Sequence, residues 1–477
     1  MQHDNGTGGV HFFSVRNRSF AFDIHTTACV EVDDVGLSVM REMLAGAQDG
    51  LEAKYAAVYP RAAIRASQKE CRDLLSTKAL GAGPIPYRHR RQDSILAVSL
   101  HIAHDCNLRC AYCYADAGTF GRKRTVMDRE TMIRAIDFTF DQSAQNPSLN
   151  IGFFGGEPLL RFPLIREGVR YAKEEARKRD KKVSFSMTSN ATLLSPAVME
   201  FISREGFSLI FSLDGPQRIH DRMRTNRAGR GTHRRVLANI KEYARRYSPS
   251  FTVRGTFTRT TPDFADQVVF LNRQGFKSVS VEPAQLDDEH PHALSTEADL
   301  LRVRLEYDRL ADLYVGRFRE GRPLHFFHFD NALGQLLQPR PLHTQCGAGA
   351  GFIAVAPDGR VFPCFEAVVE EHNCIGHIDT GLDPEKRRTF QSMHADRRRG
   401  CRACWLRYHC GGGCHAFNIR YNDDIHEPYR PYCVFAEHRL MLSAWILAEI
   451  SQAGSEAVER LKRHVLPVRS GIHEPKP

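Results

Sequence analysis

The run Cys106-Asn107-Leu108-Arg109-Cys110-Ala111-Tyr112-Cys113-Tyr114 decides how the chain is read. Three thiolates at this spacing on one loop can hold three corners of a four-iron, four-sulfur cube. The fourth iron then has no protein ligand, which suits binding and reducing a small molecule rather than carrying electrons alone. Two plainer readings compete: packed thiols, or three of four zinc ligands. Zinc would want a fourth Cys or His nearby. His101 and His104 are close, but lie upstream in a run that reads as a strand.

Around this loop the composition is that of an ordinary globular protein, with 42% hydrophobic and 26% charged residues in 477. That length allows two to four domains. Met1 to Val10 is polar and Gly-rich, without an apolar signal core. The apolar stretch Met441 to Ile450 is broken by Ser443 and Glu449 and is too short to span a bilayer. The expectation is a cytoplasmic protein with no membrane association, in which clustered cysteines are metal ligands rather than disulfides. A net charge of +10 suits an acidic partner, but no nucleic-acid motif accompanies it, so none is expected to bind.

Short alternating runs at 11–15, 19–23 and 29–32 precede three helical stretches, the first capped by Asp33 or Asp34. Residues 1–85 thus form a small winged-helix-like module, followed by a Gly-, Pro- and Arg-rich linker, Gly81 to Asp93. From Ile95 onward six strand-and-helix units succeed one another over 94–335. Such alternation predicts α/β architecture: a parallel sheet curled into a partial (β/α)6 TIM-type barrel with its chemistry at the C-terminal strand ends. The loop bearing Cys106 follows the first strand. Gly155-Gly156-Glu157-Pro158 follows the second, Thr188-Ser189-Asn190 the third, and Ser212-Leu213-Asp214-Gly215 ends the fourth. Each is also ordinary turn chemistry. Four in register after successive strands argue for a site.

A second cysteine field occupies 336–435. Cys346 is followed by twelve residues, Gly359, four residues and Cys364; then come Cys401-x2-Cys404-x5-Cys410-x3-Cys414 and Cys433. One tetrahedral zinc on Cys401, Cys404, Cys410 and Cys414 is the alternative, but it leaves the other three without employment. A helix and tail complete the chain at 436–477. Cys29 and Cys71 read as packed thiols.

These motifs resemble the radical S-adenosylmethionine enzymes, and the second field resembles their C-terminal iron–sulfur SPASM domain, spacing by spacing. The resemblance implies S-adenosyl-L-methionine and three 4Fe-4S clusters, one on Cys106, Cys110 and Cys113 and two auxiliary. It assigns Cys346, Cys364 and Cys414 to one auxiliary cluster, with Cys374 near enough in sequence to be a fourth ligand. Cys401, Cys404, Cys410 and Cys433 go to the other. It places Tyr112 against the adenine, Gly155, Gly156 and Glu157 at the methionine amino group, and Asn190 and Ser212 near the ribose and the carboxylate. The N-terminal strand and helix order resembles the peptide-recognition element of enzymes that modify ribosomal peptides.

The overall layout is similar to the thioether-forming peptide maturases. One kind joins Cys to Asp or Glu in the small subunit of quinohemoprotein amine dehydrogenase; another joins Cys to Thr in Cys-rich clostridial (SCIFF) peptides. Basic charge and Arg-rich usage lean toward the first. The implied partners are an acidic, Cys-bearing precursor peptide or small subunit and an electron donor such as flavodoxin or ferredoxin. An anaerobic sulfatase-maturing type of oxidation, and a zinc-binding scaffold for RNA or peptide, are the competing readings. A general base for the substrate thiol or carbon is sought among Glu366, Asp396 and Asp424.

Overall fold

The computed structural model describes residues 9–47, 49–84, 94–248 and 250–466. Most of the expected linker, 85–93, and the tail from 467 lie outside the described residues. Strands β1 (Val10–Val15), β2 (Arg18–Asp23) and β3 (Cys29–Val32) form an antiparallel sheet with β2 in the middle. The β1–β2 turn is Arg16-Asn17, both at positive φ, the geometry whose twist matches a two-residue hairpin. Helices α1 (Asp34–Leu44), α2 (Leu51–Tyr55) and α3 (Arg61–Ser76) follow, and Asp33 caps α1 by accepting from Gly36 N at 2.6 Å.

Alternation along β1 and β2 gives this sheet two apolar faces. Val10, Phe12 and Ala21 pack with Met40 and Cys71 of the helices. Phe13, Phe20 and Phe22 point the other way and surround Trp405, which is 1% exposed. His11 stacks on the same indole at 4.3 Å. The module is therefore docked on the cysteine-rich third of the chain through one tryptophan, and Arg18 adds an ion pair to Glu449 at 2.6 Å.

The barrel strands are β4 (Ala97–His104), β5 (Ser148–Gly155), β6 (Lys182–Ser189), β7 (Ser208–Ser212), β8 (Thr252–Phe257) and β9 (Val279–Pro283). The six strands lie in chain order and all five neighbouring pairs are parallel. Helices α4 (Arg129–Gln142), α5 (Phe162–Lys178), α6 (Pro196–Arg204), α7 (His233–Arg246), α8 (Phe264–Arg273) and α9 (Glu297–Arg319) return the chain between or after them, as parallel pairing requires. Asp128 and Ser195 cap α4 and α6, the latter with Pro196 in the first turn as the sequence predicts.

Parallel strands covered on both faces usually read as unbroken apolar runs. Here β5 to β8 alternate instead. Leu149, Ile151, Phe185, Leu209 and Val253 are buried under the helices, while Asn150, Ser186, Ser212 and Arg254 on the opposite face keep solvent-accessible surface. The concave face thus encloses a polar, wet lumen rather than a filled core.

The sheet does not end at β4. Strand β10 (Phe352–Val355) pairs parallel with β4, from Ala97↔Phe352 to Leu100↔Val355, and β11 (Arg360–Phe362) continues antiparallel. One sheet therefore runs from the barrel into the cysteine-rich segment, across the boundary expected at 336. Helix α10 (Arg430–Ser451) carries Cys433 in its first turn and packs on α9, so the C-terminal helix begins inside the second cysteine field. No described helix is long and apolar enough to cross a membrane.

Replacing Trp405 by Ala should cost about 3–5 kcal/mol, the range for a fully buried aromatic truncation. The loss is measured as a lowered denaturation midpoint, and faster amide exchange in β1–β3 than in β4–β9 would localise it to the docking face.

Candidate active site and cysteine centres

The loop after β4 is pinned from two sides. Residues Leu108–Cys110 pair antiparallel with Arg224–Asn226, and Ala111 N donates to Met223 O at 2.8 Å. Cys106 is buried, with Leu108 N at 3.4 Å and Asn190 Nδ2 at 3.7 Å from its sulfur. Asn190 Nδ2 also donates to Asn107 Oδ1 at 2.9 Å. Beneath the loop the backbone is too close for any side chain. A Cβ on Gly155 would stand 2.3 Å from Ala103 O, and one on Gly156 2.3 Å from Asp105 O, which is why two glycines end β5.

Glu157 is tied to the strand ends around it. It is 0% exposed, and its carboxylate accepts from Leu159 N at 3.1 Å, Ser189 Oγ at 2.9 Å and Asn190 N at 2.7 Å. Burial pushes its pKa up to about 7 against those bonds. Its oxygens join the ends of β5 and β6. Tyr112 is likewise enclosed: its hydroxyl donates to Asp214, and the Arg224 guanidinium lies 5.3 Å over its ring. Arg224 in turn is ion-paired with Asp214 at 3.0 Å. Neither Asp214 nor Arg224 was singled out from sequence for this arrangement; an Arg following His-Asp-Arg-Met after the fourth strand carries little signal by itself. Ser212 ends β7 on the lumen side.

The seven cysteines of the second field fall into two groups. Burial raises the thiol pKa of Cys364 and Cys414, and each is raised further by Cys346 and by Glu366. Cys401, Cys404, Cys410 and Cys433 act on one another in the same way. Cys374 stands apart from both. Its Sγ lies 3.2 Å from Gly376 O, and it packs with Phe120, Phe362 and Val368 near Cys113. Two short turns between Ala367 and Asn373 carry it back beside β11, so the structure does not bring it to Cys346, Cys364 and Cys414. Cys29 and Cys71 sit in apolar clusters.

Three observations test whether these cysteines suit an iron–sulfur group. First, zinc–thiolate bonds of about 2.3 Å put tetrahedral sulfurs about 3.8 Å apart. Among the described residues the one set of three potential ligands within 4.8 Å of one another is His325, Asp330 and His464, so no cysteine triplet has zinc spacing. Secondly, backbone N–H groups just downstream point at sulfur: Leu108 at Cys106, Ala348 at Cys346, Ala367 at Cys364 and Leu406 at Cys404. Gly412 and Gly413 serve Cys410, and Ala416 and Phe417 serve Cys414. A thiol is a weak acceptor; an anionic sulfur makes each such contact a charge-assisted bond. Gly411, Gly412 and Gly413 all have positive φ, the conformation that wraps this nest.

The third is Arg398. It is 0% exposed and has no carboxylate partner among the described residues: its guanidinium donates to Ile425 O and meets His415 Nδ1, and Nε has no hydrogen-bond partner among them. Burial lowers its pKa, while Cys401, Cys410, Cys414 and Cys346 raise it, two from each group. A buried cation between two sets of cysteines is compensated only when those sulfurs are anionic. The residues fit a negatively charged metal group at both places.

Of the three acids considered as bases, Asp396 accepts from Tyr408 Oη at 2.8 Å and faces His394 and Arg407. Asp424 accepts from His426 N and is ion-paired to the exposed Arg399. Both are spoken for away from the sulfurs. Glu366 alone lies beside Cys364 and Cys414, and it accepts no hydrogen bond from any described residue. Burial raises its pKa to about 7, partly opposed by Arg254 and Arg420. Tyr114, next to Cys113, faces the same Glu366 and Cys364. The lumen therefore opens between the first cysteine loop and the Cys364 group, with Tyr114, Arg254 and Glu366 on its walls.

Two outcomes follow from this packing. Gly156→Ala should displace the Asp105–Cys106 backbone and lower the iron retained by anaerobically purified protein, measured by metal analysis. Arg398→Met should stabilise the metal-free chain, by an amount approaching the roughly 3–5 kcal/mol of an uncompensated buried charge, yet weaken metal retention in the loaded protein. A merely structural arginine would lower both.

The radical SAM superfamily profile matches residues 100–263. A cysteine-type anaerobic sulfatase-maturating enzyme of Clostridium novyi is 27% identical over 292 residues, covering 58% of this chain and 74% of that protein. The radical SAM cyclopropyl synthase TigE of Paramaledivibacter caminithermalis is 24% identical over 338 residues, 68% of each chain. Among solved structures, anSMEcpe with bound AdoMet superposes with a TM-score of 0.63 at 20% identity, covering 78% of this chain and 99% of that one. Streptococcus suis SuiB bound to S-adenosylmethionine does so with 0.52 at 14% identity, covering 89% and 98%. The strand-end glycines, the three-cysteine loop and this match together establish that the chain carries a radical SAM domain on a partial TIM-type barrel.

Proposed function

We propose that the protein is a radical SAM peptide maturase that joins a substrate Cys sulfur to a side-chain carbon of an acidic residue in the same peptide. The observation that carries the reading is the lumen between the Cys113 loop and the Cys364 group, where Tyr114, Arg254 and Glu366 converge. When bound, S-adenosylmethionine and the clusters would supply a hydrogen-abstracting carbon radical and take up the electron left on the substrate. Cys106, Cys110 and Cys113 would hold the first cluster; Cys346, Cys364 and Cys414 the second; Cys401, Cys404, Cys410 and Cys433 the third.

The chain's own residues have separable duties. Asn190 and Glu157 fix the first loop against β5 and β6. Arg224, held by Asp214 beside Cys110, offers a cation for the methionine carboxylate. Glu366, beside Cys364 and Cys414, is placed to take a proton from a substrate thiol, and the three cysteines there would hold a cluster with room for a further sulfur. With Cys374 placed elsewhere, that further sulfur would be the substrate's own.

The N-terminal module favours a peptide. The outer edge of β3 pairs with no described strand, and a cavity of about 730 Å³ runs beside it, lined by Val30, Glu31, Ser67, Cys71 and Leu74. An extended peptide can add a strand to such an edge. SuiB, whose superposition spans 88% of this chain, has also been solved bound to its precursor peptide SuiA. A second reading, oxidation of a single Cys or Ser as in the sulfatase-maturating relatives, is favoured by their identity to this chain.

Anaerobic protein should hold about twelve irons per chain, little zinc, and release 5′-deoxyadenosine after reduction. With a peptide of the maturase type, product should lose two hydrogen atoms and its thiol should resist alkylation. Loss of sulfur from the peptide would instead establish the single-residue oxidation, and stoichiometric zinc without cleavage would remove both readings.

A further inference from the structure

Arg254 is a lumen cation with no direct hydrogen-bond or ion-pair partner among the described residues. It lies in mid-β8, where its register neighbours are Ser212 of β7 and Ser280 of β9, and it is exposed although β8 is an inner strand of the sheet. The buried residues on either side, Val253 and Gly255, show that its side chain leaves on the concave face. The guanidinium makes no hydrogen bond, ion pair or ring contact with any described residue. The other arginines around the lumen are engaged: Arg224 by Asp214, Arg420 by Asp287, and Arg439 by Phe435 O and the Tyr432 ring.

Resident carboxylates act on it only through space, without a direct ion pair. Glu282 is held by His328 Nε2 at 2.8 Å and Ser280 Oγ at 2.5 Å. Glu366 lies near but forms no ion pair with it. Small neighbours leave space above the guanidinium, since Ser212 and Ser280 flank it and Gly152 sits further round the wall. A planar fork of donors in such a place is matched by a carboxylate, which it can grip through two parallel bonds.

We propose that Arg254 receives the side-chain carboxylate of the substrate residue that is modified, so that the preferred peptide carries Asp or Glu at that position. This rests on the peptide-maturase reading above. The methionine carboxylate of S-adenosylmethionine is the other source of the same chemistry. Position speaks for the peptide. Arg254 is three residues before the end of β8, about 10 Å below the rim where Cys110 and Arg224 lie, and it faces Glu366 and Tyr114. A carboxylate gripped there presents its adjacent carbons to the space between the two cysteine centres.

The test uses the reconstituted full chain with two synthetic probes, Ac-Cys-Gly-Gly-Glu-amide and its Gln counterpart. Readouts are the peptide KM in deoxyadenosine release and, separately, the dissociation constant of S-adenosylmethionine by equilibrium dialysis. Wild type should prefer the Glu probe by about tenfold or more, the scale of one charge-assisted pair. Arg254→Gln should erase that preference with S-adenosylmethionine binding and iron content unchanged, and Arg254→Lys should keep part of it. A preference that survives in Arg254→Gln, or is absent in wild type, overturns the assignment alone. Weakened S-adenosylmethionine binding in Arg254→Gln moves the contact to the methionine carboxylate and also overturns it. No response of wild type to either probe, or to a longer Cys-bearing peptide, removes the peptide reading and this one with it.

Discussion

Everything at the rim of the barrel depends on one buried carboxylate. Glu157 takes a proton-bearing partner from each of three directions: its own turn, the Ser189 hydroxyl and the Asn190 amide. Asn190 then reaches Cys106 and Asn107. Two strand ends and the cysteine loop are therefore one hydrogen-bonded unit, built where Gly155 and Gly156 let backbones touch. A charge at zero exposure would be costly without such satisfaction. With it, the loop is held in place before any ligand arrives, the arrangement that makes positioning cheap at the moment of reaction.

The second cysteine field repeats the logic with opposite sign. There the buried group is a cation, Arg398, and the compensating charge comes from sulfur. Backbone amides turned toward Cys346, Cys364, Cys404, Cys410 and Cys414 act in the same sense. The same residues that shape this part of the fold fit an anionic group: a buried cation uncompensated among neutral thiols is balanced when the sulfurs are charged.

Local patterns made most of the fold legible. Strand-and-helix alternation gave the barrel, and Asp33 and Ser195 gave helix starts, because both signals are carried by neighbours in sequence. Cysteine spacing separated the two fields for the same reason. What stayed hidden was set by long-range packing. Cys374 is ten residues from Cys364, yet turns carry it to another cluster. Glu157 and Tyr112 face inward to protein partners that lie on other strands. Asp396 and Asp424 could not be told from Glu366 until their own ion pairs were seen. Arg254 carried no motif, and the alternation of β8 marks its face only once the strand's neighbours are known.

The parallel pairing of β10 with β4 has a mechanical meaning. The first cysteine loop leaves the end of β4, and Cys364 follows the hairpin that starts with β10. Both centres thus hang from one ladder of peptide hydrogen bonds, which works as a fixed ruler between them. Hinged closure of one domain on another could not shorten that span without tearing the sheet. Under the proposed function, a peptide would have to bend to the gap, and its own loop length, not any motion of the protein, would decide which residue pairs meet there.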